Sequence, residues 1–352
     1  MLNIPRNTAC SIFTYADDFS LNAFKDVVDH KNVSPLAEIE FDTTKRKAFG
    51  FVNPHDYLDD TYKMEIYGKY YVVSYAQCSR SVSSKSVEYA VRKARREKGG
   101  RLSRDERDVI KSELLRDAPI QVKTYLSVID PEFRRVYLLS ASNAIRDAFV
   151  ASFSAITGMQ LYEESFTTYL VDTDNSEILD TDTNVTGSFF TWLWYSAESN
   201  SYKEYAPKNS DNTYLFVPGA KIKVGNAAGD SCRVSGDIRE ARNGIFNGKV
   251  VEDFSFTLNA SNGTTYDVTV YDYDRITRTR LLPLTEPVEN EEAEAEALVY
   301  LVIGQIDTIR EALLTAFNEY LDVLKTRGRN GIALEIFNWS KGDVCIKAFE
   351  EV

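Results

Sequence analysis

The chain has 352 residues, of which 43% are apolar and 12% aromatic, and its net charge is −12. This composition excludes a disordered or collagen-like chain and allows a sizeable core. Four scattered cysteines without a CxxC pair, together with two histidines, predict neither a zinc site nor a disulfide framework. Because no signal peptide and no long apolar run is visible, we expect a cytoplasmic protein without membrane association.

The first 80 residues predict a mixed α/β unit. Ser20 is placed to cap a short helix whose apolar positions run from Leu21 to Val28. Alternating or aromatic-rich runs predict strands at 9–15, 48–52 and 70–75.

A basic segment follows. Residues 80–123 carry thirteen Lys or Arg against seven Asp or Glu, a local charge of +6 in an acidic chain. The pattern predicts one helix ending near Lys98 at Gly99-Gly100 and a second starting at Ser103, where Ser103 and Glu106 form a capping box. Pro119 ends the second helix. We expect this hairpin of two helices, called the finger from here on, to protrude.

Charge sorted in this way favours binding of a polyanion. A solvated face that binds nothing is the alternative for the same charges. The candidate DNA-binding residues are Lys85, Arg92, Lys93, Arg96, Arg101, Arg104, Arg107 and Lys111.

After the finger, the pattern predicts a hairpin of 125–129 with 136–139 and a helix over 143–157. Residues 161–285 are expected to be mostly strands, and the last stretch to be a helix and a small hairpin. The predicted strands are 189–195, 214–217, 250–258 and 266–273; an acidic linker (286–296), a helix (297–324) and a terminal hairpin (332–337 with 344–349) follow. The predicted domains are 1–80 with 124–165, the finger 81–123, a β-rich domain 166–285, the linker and long helix 286–325, and an extension 326–352.

Catalytic motifs are absent from the sequence, and we expect no enzyme and no cofactor. The stretch Gly244–Lys249 is one residue short of a phosphate-binding loop and lacks its Ser or Thr. Trp192 and Trp194 share a face of a predicted strand, where core packing is favoured over base stacking. Acidic residues at 172, 174, 177, 180 and 182 suggest a solvated loop; a metal-dependent nuclease is the alternative.

The chain resembles the RdgC family of recombination-associated DNA-binding proteins. Gly50-Phe-Val-Asn-Pro54 is similar to the family's Gly-Trp-Val-Pro-Pro turn, and 101–113 is similar to its Lys-rich second finger helix. Ile129-Asp130 closes a strand as in the family, and Ile245-Phe-Asn-Gly-Lys-Val-Val251 resembles a later family element. Pro119 replaces an aromatic residue that belongs to a subunit contact in the family, so ring closure stays open.

The resemblance implies an α+β fold with mixed sheets, a protruding two-helix finger, a long C-terminal helix and a curved subunit. It also implies a homodimeric ring that binds double-stranded DNA without sequence preference, associates with the nucleoid and opposes a RecA-type recombinase without catalysis. Bacterial or phage origin stays open. The alternative is a structural, self-assembling protein whose basic finger docks on acidic protein surfaces.

Overall fold

The computed structural model describes most of the chain in two compact units, and each unit combines helices with antiparallel strands. One unit comprises residues 1–2 and 14–161, and the other comprises 3–13 and 162–352. The described residues are 4–16, 34–42, 45–53, 56, 64–173, 175–179, 182–200, 203–208, 210–236, 238–272, 275–285, 288 and 290–350, with side chains described to 341.

The helices and strands in this part of the chain are numbered separately from its start. The helices are α1 (Pro35–Phe41), α2 (Ser84–Lys98), α3 (Arg104–Arg116), α4 (Asn143–Thr157), α5 (Phe166–Asp172), α6 (Val185–Ser199), α7 (Arg239–Phe246) and α8 (Glu291–Glu350). The strands are β1 (Asn7–Thr14), β2 (Lys47–Val52), β3 (Glu65–Tyr67), β4 (Tyr70–Arg80), β5 (Ile120–Asp130), β6 (Arg135–Leu138), β7 (Tyr162–Glu163), β8 (Glu204–Tyr205), β9 (Tyr214–Gly225), β10 (Ser231–Ser235), β11 (Val250–Ala260), β12 (Thr265–Asp272) and β13 (Arg275–Arg280).

The first unit is built on strands in the order β2-β4-β5-β6, and β3 also pairs with β4. One face of these strands packs against α4 through an aromatic cluster. The ring centroids of Phe51 and Tyr75 lie 5.2 Å apart, and those of Tyr75 and Phe149 lie 5.3 Å apart, both edge to face. All three residues are buried, and such pairs add stability beyond the area they bury. This packing gives the finger a rigid base.

The finger is an insertion at one end of the β4–β5 pair. The two strands pair antiparallel without interruption from Tyr71 opposite Ile129 to Arg80 opposite Ile120. The chain leaves the sheet after Arg80, forms α2 and α3, and returns at Ile120. The ends of the two strands therefore fix the base of the finger.

The second unit contains strands in the order β10-β9-β11-β12-β13-β1, with β8 on β9 and β7 on β1. Its core joins α6 and α8 to one face of β11. The rings of Phe189 and Phe317 meet edge to face at 5.1 Å, and Trp192 lies 5.3 Å from Tyr320. Burial alternates along β11, where Phe254 faces this core. The two helices thus cover the sheet with large aromatic side chains.

The strand predicted at 189–195 is wrong, because these residues lie within helix α6. Asn184 caps the helix, since its Oδ1 accepts the N–H of Gly187 at 3.0 Å. Nearly every side chain from Phe189 to Leu193 is buried, so the run is apolar on all sides and its period is hidden. Trp192 and Trp194 therefore do not share the face of a strand.

The predicted terminal hairpin is also wrong, because α8 continues through 332–350. Gly328 breaks this helix with φ 68° and ψ 160°, a conformation that glycine adopts at little cost. Beyond the break, Ile332 and Ser340 are buried two helical turns apart, and Trp339 packs on Trp194 at 5.0 Å. Tertiary packing thus keeps Lys341-Gly342 helical. The helix starts at Glu291, inside the predicted linker.

Other predictions from the sequence are confirmed. The fold is α+β with a long C-terminal helix, and the helices predicted at 84–98, 103–118 and 143–157 are present within a few residues. Asn262-Gly263 forms the turn between β11 and β12, with φ 85° at Gly263. The strand pairs β2–β4, β4–β5, β9–β11 and β12–β13 are all antiparallel. The helix predicted after Ser20 lies outside the described residues.

Candidate nucleic-acid interface

The finger depends on local signals rather than on a core. Ser83 caps α2 by accepting a backbone N–H, and Gly99 ends the helix with φ 70°. Ser103 and Glu106 form the predicted capping box at the start of α3. Neither helix contains a buried residue; Leu102, in the connection between them, is buried. Nearly all polar side chains of the finger are therefore accessible to a partner.

The exposed outer face of α2 is basic. With 100° of rotation per residue, Lys85, Tyr89, Arg92 and Arg96 fall on one side of the helix, opposite the half-buried seam of valines and alanines. Lys93 lies at the edge of the same side. Tyr89 is 71% exposed in the middle of these cations. This face offers a row of long cationic side chains along about three helical turns.

Some of the predicted cations have carboxylate neighbours. Arg92 is paired with Glu88 one turn earlier, and Lys93 Nζ lies 4.0 Å from a carboxylate oxygen of Glu97. These are exposed pairs on one helix, which add at most about 0.5 kcal/mol to stability and are readily exchanged for a phosphate. They lower the net charge of the face without blocking it.

The other predicted site residues of the finger make no ion pair within the described part of the chain. Arg107 donates to the backbone carbonyl of Leu102 at 3.3 Å. Lys85, Arg96, Arg101, Arg104 and Lys111 are exposed and have no carboxylate within 4.0 Å among the described residues. Five of the eight candidates are thus cations whose only partner is solvent.

Helix α3 places its cations beside its packing seam rather than opposite to it. Arg104, Arg107 and Lys111 share one flank of the helix, as their spacing predicts. Val109, expected on the buried side, is 56% exposed, whereas Ile110 and Leu114 are half-buried against α2. The seam is rotated toward Leu114, and Lys111 lies beside it, next to Arg46, Lys47 and Arg80 at the base of the finger.

A cleft at the base of the finger was not predicted from the sequence. It has a volume of about 530 Å³ and is lined by four cations, Arg46, Lys47, Arg80 and Lys111. Only Lys111 belonged to the predicted set. The basic run Lys45-Arg46-Lys47 at the start of β2 was the one sign of this cleft in the sequence. Spacing along the chain does not show that this run lies beside the end of β4.

Lys98 and Glu106 link the C-terminal end of α2 to the first turn of α3. Lys98 hydrogen-bonds the Glu106 carboxylate, which also accepts the backbone N–H of Ser103 at 2.7 Å. These two hydrogen bonds lower the pKa of Glu106 below its usual value. The carboxylate at the finger tip is thus used for local structure.

A second cationic cleft, of about 320 Å³, lies on the β9–β11 sheet of the other unit. Of its four cations, Lys221, Lys223, Arg233 and Arg278, two make an ion pair within the described residues. Lys223 Nζ lies 2.5 Å from Glu252, and a guanidinium nitrogen of Arg233 lies 2.7 Å from Asp253. The hydrogen bond to Glu252 raises the pKa of Lys223. The charges of Lys223 and Arg233 are thus largely neutralised by their own sheet, whereas Lys221 and Arg278 make no ion pair among the described residues.

The acidic residues at 172–182 are not brought together as a ligand set in the part of the chain that can be described. Asp182 is buried, accepts the N–H of Asn184 at 2.9 Å and lies 3.4 Å from Arg329. Asp172 is exposed in α5. Residues 174 and 180 lie outside the described residues, and the described ones contain no group of three or more His, Cys, Asp or Glu placed to hold a metal.

Trp192 and Trp194 are both core residues of the second unit. The indole N–H of Trp194 donates to Glu198 at 2.6 Å, and the Trp192 ring lies under the ammonium of Lys203 at 5.0 Å. Both rings are almost fully buried. Neither indole presents a face on which a base can stack.

No protein-family model matches the chain, and no curated protein matches it. Within the described residues, no helix combines the length and apolar character required to cross a bilayer.

Proposed function

We propose that the protein binds double-stranded DNA without sequence preference and has no catalytic activity. The observation that carries this proposal is the exposed basic face of the finger, with Lys85, Arg96, Arg101 and Arg104 unpaired in the described structure of a chain whose net charge is −12. An acidic protein that keeps a row of free cations on one element directs a polyanion to that element.

The chemistry of this face supports contacts to phosphates rather than to base edges. Its cations are long Lys and Arg side chains on the outer side of α2 and at the start of α3, with few short polar groups between them. Phosphate contacts fix position on a duplex and carry no sequence information. Binding by this face is therefore expected to be similar for different sequences.

The resemblance to the RdgC family supports the biological part of the proposal. It implies a homodimeric ring around duplex DNA, association with the nucleoid in the cytoplasm, and opposition to a RecA-type recombinase. Pro119, which is exposed beside the returning β5 strand, stands where the family has its contact aromatic. The subunit contact at that end would therefore use other side chains.

Duplexes of unrelated sequence test the proposal directly. We expect equal affinities for all of them, and we expect Arg96→Gln/Arg104→Gln to weaken every duplex by about tenfold, because two phosphate contacts are lost. Lys223→Gln/Arg233→Gln removes two paired cations and serves as the matched control with little effect. A loss confined to one sequence would contradict the proposal.

A second candidate function, self-assembly through the finger, is favoured by its exposed apolar side chains. Tyr89 and Val109 are 71% and 56% exposed, and both lie among charged residues. Light scattering with and without DNA separates the two functions. A polymer that forms without DNA and is lost in Val109→Asp would favour self-assembly, whereas a discrete dimer that retains duplex binding would favour the first proposal.

A further inference from the structure

The cleft at the base of the finger brings cations from three elements to one concave site. Arg46 and Lys47 come from the start of β2, Arg80 from the end of β4, and Lys111 from α3. The backbone N–H of Arg80 donates to the carbonyl of Arg46 at 3.0 Å, which holds the two strand ends together. Like charges placed this close repel each other unless an anion joins them.

Arg80 shows that the site lacks an acceptor. Its Nε and Nη1 atoms are buried, and neither has a hydrogen-bond partner. A buried donor without a partner costs free energy, and a charged one costs more than a neutral one. No carboxylate lines the cleft, and none of the four cations is in an ion pair within the described part of the chain. An oxyanion that entered the cleft would bring an acceptor to the Arg80 guanidinium and to the other three cations.

The remaining lining residues suit a phosphate. Ser79, Ser81 and Ser84 are among the residues that line the cleft, and each carries a hydroxyl group. Ser84 is the first residue of α2, a helix of 15 residues, so the positive end of the helix dipole is directed to the same place. Leu115 adds an apolar wall. Hydroxyls, a helix N-terminus and arginines together are the usual chemistry of phosphate recognition.

We propose that this cleft binds a phosphate monoester. A monoester carries a charge between −1.5 and −2 at neutral pH, which matches several converging cations better than the single charge of a phosphodiester. A terminal phosphate is also free to enter a concave site, whereas an internal phosphodiester is flanked by sugars on both sides. The site goes beyond the proposed duplex-binding face, which is formed by the exposed cations on the outer side of α2 and at the start of α3.

A phosphate monoester has two sources, the 5′-phosphorylated end of a DNA strand and a free mononucleotide. Calorimetry with adenosine 5′-monophosphate and with adenosine isolates the phosphate from the base. A short duplex with a 5′-phosphate, compared with the same duplex ending in a 5′-hydroxyl, isolates the DNA end. We expect adenosine 5′-monophosphate to bind and adenosine not to bind. A preference for the phosphorylated duplex identifies the DNA end as the source; equal duplex affinities with nucleotide binding identify the free nucleotide.

Two variants and one control locate the binding. Arg80→Gln and Lys111→Gln are each expected to weaken adenosine 5′-monophosphate by about tenfold, since each removes one charge-assisted contact. Lys111 is exposed on α3, so its variant keeps the fold even if Arg80→Gln does not. Lys223→Gln/Arg233→Gln, which removes the two paired cations of the second cleft, is the control and should bind like the wild type.

The inference is overturned if adenosine 5′-monophosphate binds no better than adenosine and the phosphorylated duplex no better than the hydroxyl-ended one. It is also overturned if Lys111→Gln binds adenosine 5′-monophosphate like the wild type. Its failure is distinct from that of the proposed function. Duplex binding without a preference for monoesters removes the cleft alone, whereas monoester binding without duplex binding removes the duplex-binding face alone.

Discussion

The finger and the β9–β11 sheet both carry clustered cations, but most candidate cations of the finger make no ion pair within the described residues, whereas Lys223 and Arg233 on the sheet are paired with carboxylates. On the sheet, Lys223 and Arg233 each have a carboxylate within 2.7 Å or less. On the finger and in the cleft at its base, Arg96, Arg104 and Arg80 have none within the described structure. Cation density alone thus does not distinguish the two regions.

From this difference we infer that anion binding depends on whether the cations of a surface are already paired, and not only on how many there are. A paired lysine must first give up its carboxylate, and the phosphate must replace both the ion pair and its hydrogen bond. An unpaired cation exchanges only water and counterions, whose release drives binding to DNA. The comparison predicts binding at the finger and little binding at the sheet.

The largest expected effect comes from reversing the unpaired charges of the finger. Arg96→Glu/Arg101→Glu/Arg104→Glu is expected to weaken duplex binding by at least about 100-fold, because three phosphate contacts become repulsive. Fluorescence anisotropy with a labelled duplex measures the loss.

Lys208→Glu/Lys221→Glu/Lys325→Glu is the matched control for this reversal. It makes the same change in net charge at exposed positions outside the finger. We expect it to cost only a few-fold in affinity. If both triple variants lose the same affinity, the long-range field of the protein accounts for binding and the comparison between regions fails.

A smaller effect is expected when the paired region is made to resemble the finger. Glu252→Gln/Asp253→Asn removes the partners of Lys223 and Arg233, and the pKa of Lys223 should fall back towards its ordinary value of 10.5. Two freed cations should raise duplex affinity by about threefold. Glu240→Gln/Asp211→Asn changes the net charge equally at exposed carboxylates without a described ion pair. Equal gains in both variants would show that freeing the cations is irrelevant.

The smallest effect concerns the order of the finger itself. Because hydrogen bonds lower the pKa of Glu106 below its ordinary value of 4.5, the ionised carboxylate stabilises the start of α3 above that pH. The contribution is lost as the pH falls through the lowered pKa. The protection factor for amide hydrogen exchange at the first turn of α3, which compares the observed rate with the intrinsic rate at the same pH, should therefore fall on acidification. Ser103→Ala, which removes the other half of the capping box, should cost about 1 kcal/mol of local stability.

Helix α2 supplies the control for this pH dependence. Ser83 caps it, but its first turn contains no acidic residue. Ser83→Ala should lower the local stability of α2 by a similar amount. In the wild type, the protection factor at the first turn of α2 should not change on acidification. Parallel pH profiles for the two helices would contradict the role assigned to Glu106.

Much of the first unit could be predicted because its signals are local. Capping residues, Gly99, Gly158 and the Asp130-Pro131 turn mark element ends whatever the rest of the chain does. In the second unit, the predictions from sequence were wrong where an element is buried on all sides or held by distant contacts. Helix α6 is apolar on all sides, and the end of α8 is held by the contact of Trp339 with Trp194 rather than by its own pattern.

The candidate site likewise has one part that could be predicted from the sequence and one part that could not. The basic face of α2 follows from helical spacing, so Lys85, Arg92 and Arg96 could be placed together from sequence. The cleft could not be predicted, because Arg46 and Arg80 come together only through the pairing of β2 with β4. Lys111 joins them from α3, which is distant in sequence from β2. Whether a cation is paired also depends on neighbours distant in sequence, as with Arg233 and Asp253.

The salt dependence of duplex binding tests the central claim most directly. If six to eight phosphates are neutralised by the finger, the affinity of the wild-type protein should fall by about 10³-fold or more between about 50 and 200 mM salt, with a linear relation between log K and log salt. In Arg96→Gln/Arg104→Gln the slope should decrease by about two. A flat response of the wild type, or a slope that this variant leaves unchanged, would contradict the claim that free cations of the finger hold the DNA.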